Sequence, residues 1–188
     1  ITHCVASGVA SPSQLVIHAV DLLDGLSWWP CPSIPHEGWE LGVWDEWTTD
    51  ASGETYGTPR QLAAIKFATK LTNYAVRGRA RSVLRDVVQD SFDAVNILYG
   101  WDGEPHAVVD WSGGEDTSGE VALRLTDDSV WESIAETARS AGLNVDVDLW
   151  WPGDDPIRVR KSEKDGTFEQ KTFPHPIQVV RIDEFKEA

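Results

Sequence analysis

The chain of 188 residues carries 31 acidic and 16 basic side chains, a formal charge of −15 and ten tryptophans. A field of that sign repels phosphate, so the composition argues against nucleic acid or an anionic membrane surface as the main partner. The sequence has no run of about 18 apolar residues, so no transmembrane helix is expected. We predict a soluble protein, either cytoplasmic or part of a virion.

Two helices and one strand are predicted in the first part of the chain. Apolar residues at helical spacing predict a helix over 12–24. The alternation over 39–47 predicts a strand that turns at 50–53 into a hairpin with an aromatic face. Thr58-Pro59 places a capping side chain before a proline at the first helical position, and this predicts a helix over 58–77.

The rest of the chain begins with a predicted helix. After it, most segments alternate apolar and polar residues, which is typical of strands. Helices are predicted over 81–98 and 126–141, the second opened by Thr126 and closed by Gly142. Two alternating segments around a glycine-rich turn predict a second hairpin, with strands over 106–111 and 120–125. Four further strands are predicted over 144–150, 157–161, 167–173 and 177–182.

Together these elements predict an α+β fold formed as a single domain over residues 1–188. Its first half is expected to be helix-rich with a Trp-rich hairpin, and its second half to be a mostly antiparallel sheet with one packed helix. A subdivision into a helical and Trp-loop part (1–99) and a β-rich part (100–188) is the alternative.

Charge is segregated along the chain. Residues 1–59 contain eight acids and no base, residues 60–85 seven bases and no acid, and residues 86–123 nine acids and no base. At ~100° per residue the predicted helix gathers Lys66, Lys70 and Arg77 into a stripe. The other partner-binding candidates of this segment are Arg79, Arg81 and Arg85.

Three interpretations of this basic segment are open. Its side chains are solvated on a helix face, or they contact carboxylates of this chain or of a neighbouring copy, or they contact a phosphate backbone. A steep loss of binding with salt would identify the third. The acidic segments on both sides favour carboxylates as the groups that residues 66–85 contact.

The tryptophans divide into two groups. Trp101, Trp131 and Trp150 lie in or beside periodic elements and are expected in the core. The other group crowds a proline-rich, acid-rich segment and is predicted to form an exposed patch ringed by carboxylates that binds a partner. Its members are Trp28, Trp29, Trp39, Trp44 and Trp47.

Signals for catalysis, metals and cofactors are absent from the sequence. It has no close His-x-His or Cys-x-x-Cys pair, no phosphate-binding glycine loop and no Gly-x-Ser-x-Gly elbow, so no catalytic, metal or cofactor residue is predicted. Cys4 and Cys31 are expected to be reduced thiols, with a disulfide between them as the alternative. A carboxylate pair such as Glu46 and Asp110 could cleave a glycan stacked on Trp44 or Trp47.

The sequence therefore favours a non-enzymatic protein that binds other proteins. The leading hypothesis is a subunit of a larger assembly, such as a virion or secretion particle, that docks through the basic stripe and the Trp-rich loop onto a protein partner or a neighbouring copy. The first alternative is an immunity or antitoxin-type acidic inhibitor of a basic toxin, recruited by charge. The second is a glycan-binding protein or carboxylate-dependent hydrolase.

Overall fold

Strands predominate in the chain, with two α-helices and one 3-10 helix among the described residues. The computed structural model describes residues 3–8, 14–33, 41–49, 52–68, 75–101, 103–162 and 166–185. The elements in chain order are β1 (His3–Ser7), β2 (Gln14–His18), the 3-10 helix (Leu22–Ser27), β3 (Leu41–Thr49), β4 (Thr55–Ala68), β5 (Ala75–Arg79), α1 (Ala80–Tyr99), β6 (Ala107–Val109), β7 (Glu120–Arg124), α2 (Val130–Ser140), β8 (Leu143–Trp150), β9 (Ile157–Ser162), β10 (Thr167–Lys171) and β11 (Ile177–Glu184).

The expectation of a helix-rich first half is wrong. The segment 12–24 contains strand β2, which pairs with β1, and part of the 3-10 helix. Of the segment 58–77, residues 58–68 belong to β4, which pairs antiparallel with β3, and residues 75–77 to β5, whereas 69–74 lie outside the described residues. Two adjacent β-branched residues, Val16 and Ile17, favour a strand over a helix. Strand β4 pairs with most of β3, and this pairing outweighs the small preference for a helix of the alanines and the lysine in β4.

The predicted hairpin between 106–111 and 120–125 is also wrong. Strands form in both places, but β6 pairs parallel with β11 and β7 pairs antiparallel with β5. The ten residues between β6 and β7 are more than a tight turn needs, and they contact the first turn of α1 instead. The sheet is therefore mixed, with one parallel pair that the alternation of single strands could not indicate.

The centre of the molecule is a three-stranded sheet in the order β6–β11–β8, in which β8 is antiparallel to β11. Helices α1 and α2 pack on one face of this sheet, because each has an apolar stripe at helical spacing. Burying each large side chain there contributes roughly 1.5–3 kcal/mol. The fully buried side chains between helices and sheet include Leu84, Val88, Phe92, Ile134, Val180 and Ile182.

The described residues cover the opposite face of the sheet over only half of its length. The β9–β10 segment packs an apolar cluster against it, formed by Val108, Trp150, Ile157, Val159, Phe173, Ile177 and Val179. Side chains alternate between faces along a strand, so Arg181 and Asp183 extend from the same face as Val179. They lie beyond the apolar cluster, and this uncovered half of the sheet carries polar and charged side chains.

Both α-helices have defined ends. Gly100 adopts a left-handed conformation (φ 72°) at the end of α1, where a side chain would be strained. Ser129 and Glu132 form a reciprocal capping box at the start of α2. Among the described residues, no helix combines the length and the apolar character that crossing a bilayer requires.

Candidate functional site

The basic residues of segment 60–85 do not form a single helical stripe. Lys66 lies on β4, Lys70 is outside the described residues, and Arg77 and Arg79 are exposed on β5. Arg81 and Arg85 lie in the first two turns of α1 and are buried, with 7% and 6% of their surface exposed. The segment thus contains parts of two strands and, from residue 80, the start of α1, and its described cations are divided between these three elements.

Arg85 completes the edge of strand β11. Pairing between β6 and β11 ends at Val109, so on that side of β11 no strand of the described chain lies beside the next carbonyl, that of Ile182. The Arg85 Nε donates to that carbonyl at 3.1 Å, and its Nη2 donates to Ser112 O at 2.9 Å and to Asp183 Oδ1 at 3.1 Å. Burial lowers the pKa of Arg85, and the Asp183 carboxylate opposes that effect.

Arg81 holds the glycine turn of the loop between β6 and β7. Its Nη2 donates to Gly114 O at 2.7 Å, and its guanidinium lies 3.6 Å from Glu184 and 3.9 Å from Asp116. Gly113 passes over both guanidinium groups with φ 112°, a conformation that residues with a side chain rarely adopt. Arg81 and Arg85 are therefore engaged with carboxylates and carbonyls of their own chain.

The same loop caps helix α1. The first backbone N–H groups of a helix have no partner within it. Here Ala80 N donates to Gly119 O at 2.9 Å, Arg81 N to Ser118 Oγ at 3.0 Å, and Ser82 N to Asp116 Oδ2 at 2.9 Å. Burial acts to raise the pKa of Asp116, but hydrogen bonds donated by Ser118 and Ser82 lower it to about 2.

Replacing this cap is expected to destabilise the protein in a pH-dependent way. A carboxylate with a pKa near 2 in the folded state and about 4 when unfolded contributes about 2 kcal/mol of stability near neutral pH, and loses it as pH falls through that range. Asp116→Asn should therefore unfold more easily in urea at pH 7, with the difference from the natural protein shrinking towards pH 2. Glu136→Gln, an exposed site on α2, should change stability by less than about 0.5 kcal/mol. If the loss of stability in Asp116→Asn did not vary with pH, the ionised carboxylate of Asp116 would not be its cause.

The uncovered half of the sheet forms what we call the open acidic face. Its members on the strands and at their ends are Asp110, Asp146, Asp148, Arg181 and Asp183. Arg181 lies opposite Asp146 in the register, its Nε is 3.3 Å from Asp110 Oδ2, and its Nη1 contacts Asp148. One guanidinium therefore lies among several carboxylates, and the surplus negative charge faces solvent.

Two adjoining depressions flank this arginine. One of about 930 Å³ lies towards Arg81 and Arg85, and one of about 390 Å³ lies towards the turn after β8. Asp110 and Arg181 line both of them. In total seven carboxylates and three guanidinium groups line the two depressions, and two of those guanidiniums are the buried ones of α1. The depressions are therefore suited to cations rather than anions.

Apolar side chains border the open acidic face. Trp151, in the turn after β8, is 55% exposed, and Phe185 lines the larger depression with 67% exposed. Protein interfaces commonly combine aromatic anchors with a polar, charged surround. This combination of groups can therefore bind a protein surface by charge and by apolar burial together.

The predicted tryptophan patch is divided in the structure. Trp28 is 82% exposed, whereas Trp29 packs edge-on against the buried Phe92 with ring centroids 4.7 Å apart. Trp44 and Trp47 lie on β3, and Trp39 is outside the described residues.

The tryptophans expected in the core also differ from one another. Trp150 is buried and Trp131 packs against the core. Trp101 is instead 38% exposed and stacks on the exposed Tyr99 with ring centroids 4.9 Å apart.

The remaining sequence candidates have individual environments. Cys4 is an exposed free thiol, and Cys31 is a buried free thiol whose pKa is raised by burial. Within the described part of the chain, no group of three potential ligands could hold a metal ion. Asp110, proposed as half of a hydrolytic pair, accepts from Ser112 N at 2.8 Å and pairs with Arg181.

The sequence candidates did not include most of the open acidic face. Its residues are far apart in the chain, and only the alternating acids of β8 at positions 146 and 148 were a local signal. No family model, curated protein or solved structure matches the chain. The site is therefore interpreted from its own geometry and charge.

Proposed function

We propose that the protein is a non-enzymatic binding partner of a basic protein, and that it binds that partner with the open acidic face. The observation that supports this most is the surplus of carboxylates around Arg181, with exposed apolar side chains at both ends of the face. A formal charge of −15 would also attract a basic partner from a distance and accelerate association.

This proposal is closest to the immunity-type alternative drawn from the sequence. The hypothesis of an assembly subunit depended on a basic helical stripe and a Trp-rich loop, and the two buried arginines of α1 instead bind groups of their own chain. A basic stripe would need an acidic partner, whereas the open acidic face suits a partner rich in lysine and arginine. An inhibitor that covers a cationic site on a toxin is one protein of that kind.

Charge reversal on the face is expected to weaken binding. Asp146→Lys, combined with Asp155→Lys in the lining of the smaller depression, should slow association with a basic partner by about 10-fold to 100-fold, because steering is lost and like charges meet. The matched control is Glu136→Lys with Glu104→Lys, which makes the same change in net charge at exposed positions of α2 and of the loop after α1. Wild type and control should both recover a protein of pI above about 9 from the native source, and the face variant should not.

The recovered protein is then purified and its association rate measured at increasing salt. The rate should fall steeply, because the Debye length is about 10 Å at 0.1 M and shrinks further with added salt. Recovery of only neutral or acidic proteins, or equal binding by the face variant and its control, would count against the proposal.

A further inference from the structure

Strand β8 is an edge strand that lacks several of the features that usually prevent further pairing. It lies at one side of the β6–β11–β8 sheet, and among the described residues no strand pairs with its other edge. Edge strands are commonly kept from further pairing by brevity, bulges, proline or lysine. β8 is eight residues long, has an unbroken register with β11 from Leu143 to Trp150, and contains neither proline nor lysine; its charged side chains are the two aspartates, and the 3-10 helix contacts it.

The side chains of β8 form two different rows. Asp146 and Asp148 are exposed on the open acidic face. On the other side Val145 is half-buried and Leu149 is 41% exposed. A strand added beside β8 would meet carboxylates on one face and aliphatic groups on the other.

Strand β11 already demonstrates what suits the acidic row. Arg181 lies directly across from Asp146 and pairs with Asp148. Cross-strand pairs of opposite charge stabilise a sheet, and like charges directly opposite each other destabilise it. Pairing of β8 with β8 of a second copy would bring two acidic rows together, so charge disfavours a second copy and favours a basic strand.

We propose that β8 receives an extended segment of the basic partner as a fourth strand of this sheet. Lysine or arginine at alternate positions of that segment would lie beside Asp146 and Asp148, and apolar residues between them would lie beside Val145 and Leu149. Backbone hydrogen bonds would supply affinity and the two rows would supply specificity. This inference rests on the proposed function and gives its mode of binding.

Hydrogen exchange measured by NMR on the full chain tests this mode. The probe is a nine-residue peptide in which lysine and valine alternate, compared with a peptide of the same composition in which the lysines are consecutive. At saturation the alternating peptide should slow exchange by about tenfold or more at those β8 amides that do not pair with β11. Asp146→Asn should weaken its binding, and Glu136→Gln should not.

The outcomes separate this inference from the proposed function. If the alternating peptide or the recovered basic protein binds the acidic face and no β8 amide gains protection, strand addition is wrong and the acidic face remains the binding surface. If neither the peptide nor any basic protein binds, the proposed function fails and strand addition fails with it. Amides that pair β8 with β11 should stay protected in every variant, which verifies that the sheet is intact.

Discussion

Arg160→Met is expected to lower the free energy of unfolding by about 3–5 kcal/mol, the cost of removing one partner of a buried ion pair, here that of Arg160 with Asp90. Arg160 lies on β9 with only 4% of its side chain exposed. Its guanidinium is 3.0 Å from Asp86 and from Asp93, and it also contacts the buried Asp90. Without it, three aspartates on adjoining turns of α1 would repel one another next to the core.

The electrostatics of Arg160 support a large effect. Burial acts to lower its pKa, but the carboxylates of Asp90, Asp93 and Asp86 outweigh burial and raise the pKa above its ordinary value. The guanidinium also lies 5.8 Å from the centroid of the Trp111 ring. Arg160 therefore connects β9 to α1 as a cation, and an uncharged side chain of similar length cannot replace it.

Urea unfolding followed by tryptophan fluorescence measures this effect. The control is Arg158→Met on the same strand, where the guanidinium lies over the Phe168 ring at 4.7 Å and the expected loss is about 1 kcal/mol or less. Adding Asp90→Asn to Arg160→Met should recover part of the stability, because it removes one of the uncompensated charges. Equal losses for Arg160→Met and Arg158→Met would show that the cluster contributes little.

The sequence predicted the elements from residue 80 onwards better than those before it, for a physical reason. In α1 and β8 the apolar period agrees with local propensity, and both elements occur near their predicted positions. In β4 the residues favour a helix locally, and only the pairing with β3 decides for a strand. The spacing of apolar residues within one segment does not show which other strand will pair with it.

The candidate site depended even more on tertiary structure. The expectation that residues 66–85 touch acids could be stated from the segregated charge, but not which acids. Arg85 meets Asp183 and Ile182, nearly one hundred residues later in the chain. The open acidic face arises because the β9–β10 segment covers only part of the sheet, and no pattern in β8 or β11 shows where that cover ends.

Arg85→Met is expected to lower the free energy of unfolding by about 2–4 kcal/mol, whereas Arg77→Met should change it by less than about 0.5 kcal/mol. Methionine retains most of the apolar stem of Arg85 but leaves the carbonyls of Ile182 and Ser112 without their donors. An unpaired buried acceptor costs about 1–3 kcal/mol. Arg77 is exposed on β5, so the same substitution there removes a charge from solvent.

This pair of variants distinguishes a structural cation from a docking cation within one basic segment. If Arg85 completes the edge of β11, Arg85→Met loses stability. At temperatures where that variant is folded, it binds a basic partner as the natural protein does. If Arg85 instead docks a partner's carboxylates, Arg85→Met would keep its stability and lose binding, which is the result that would overturn the structural role. Urea titrations at pH 7, together with partner binding below the unfolding transition, separate the two because charge is removed equally in both variants.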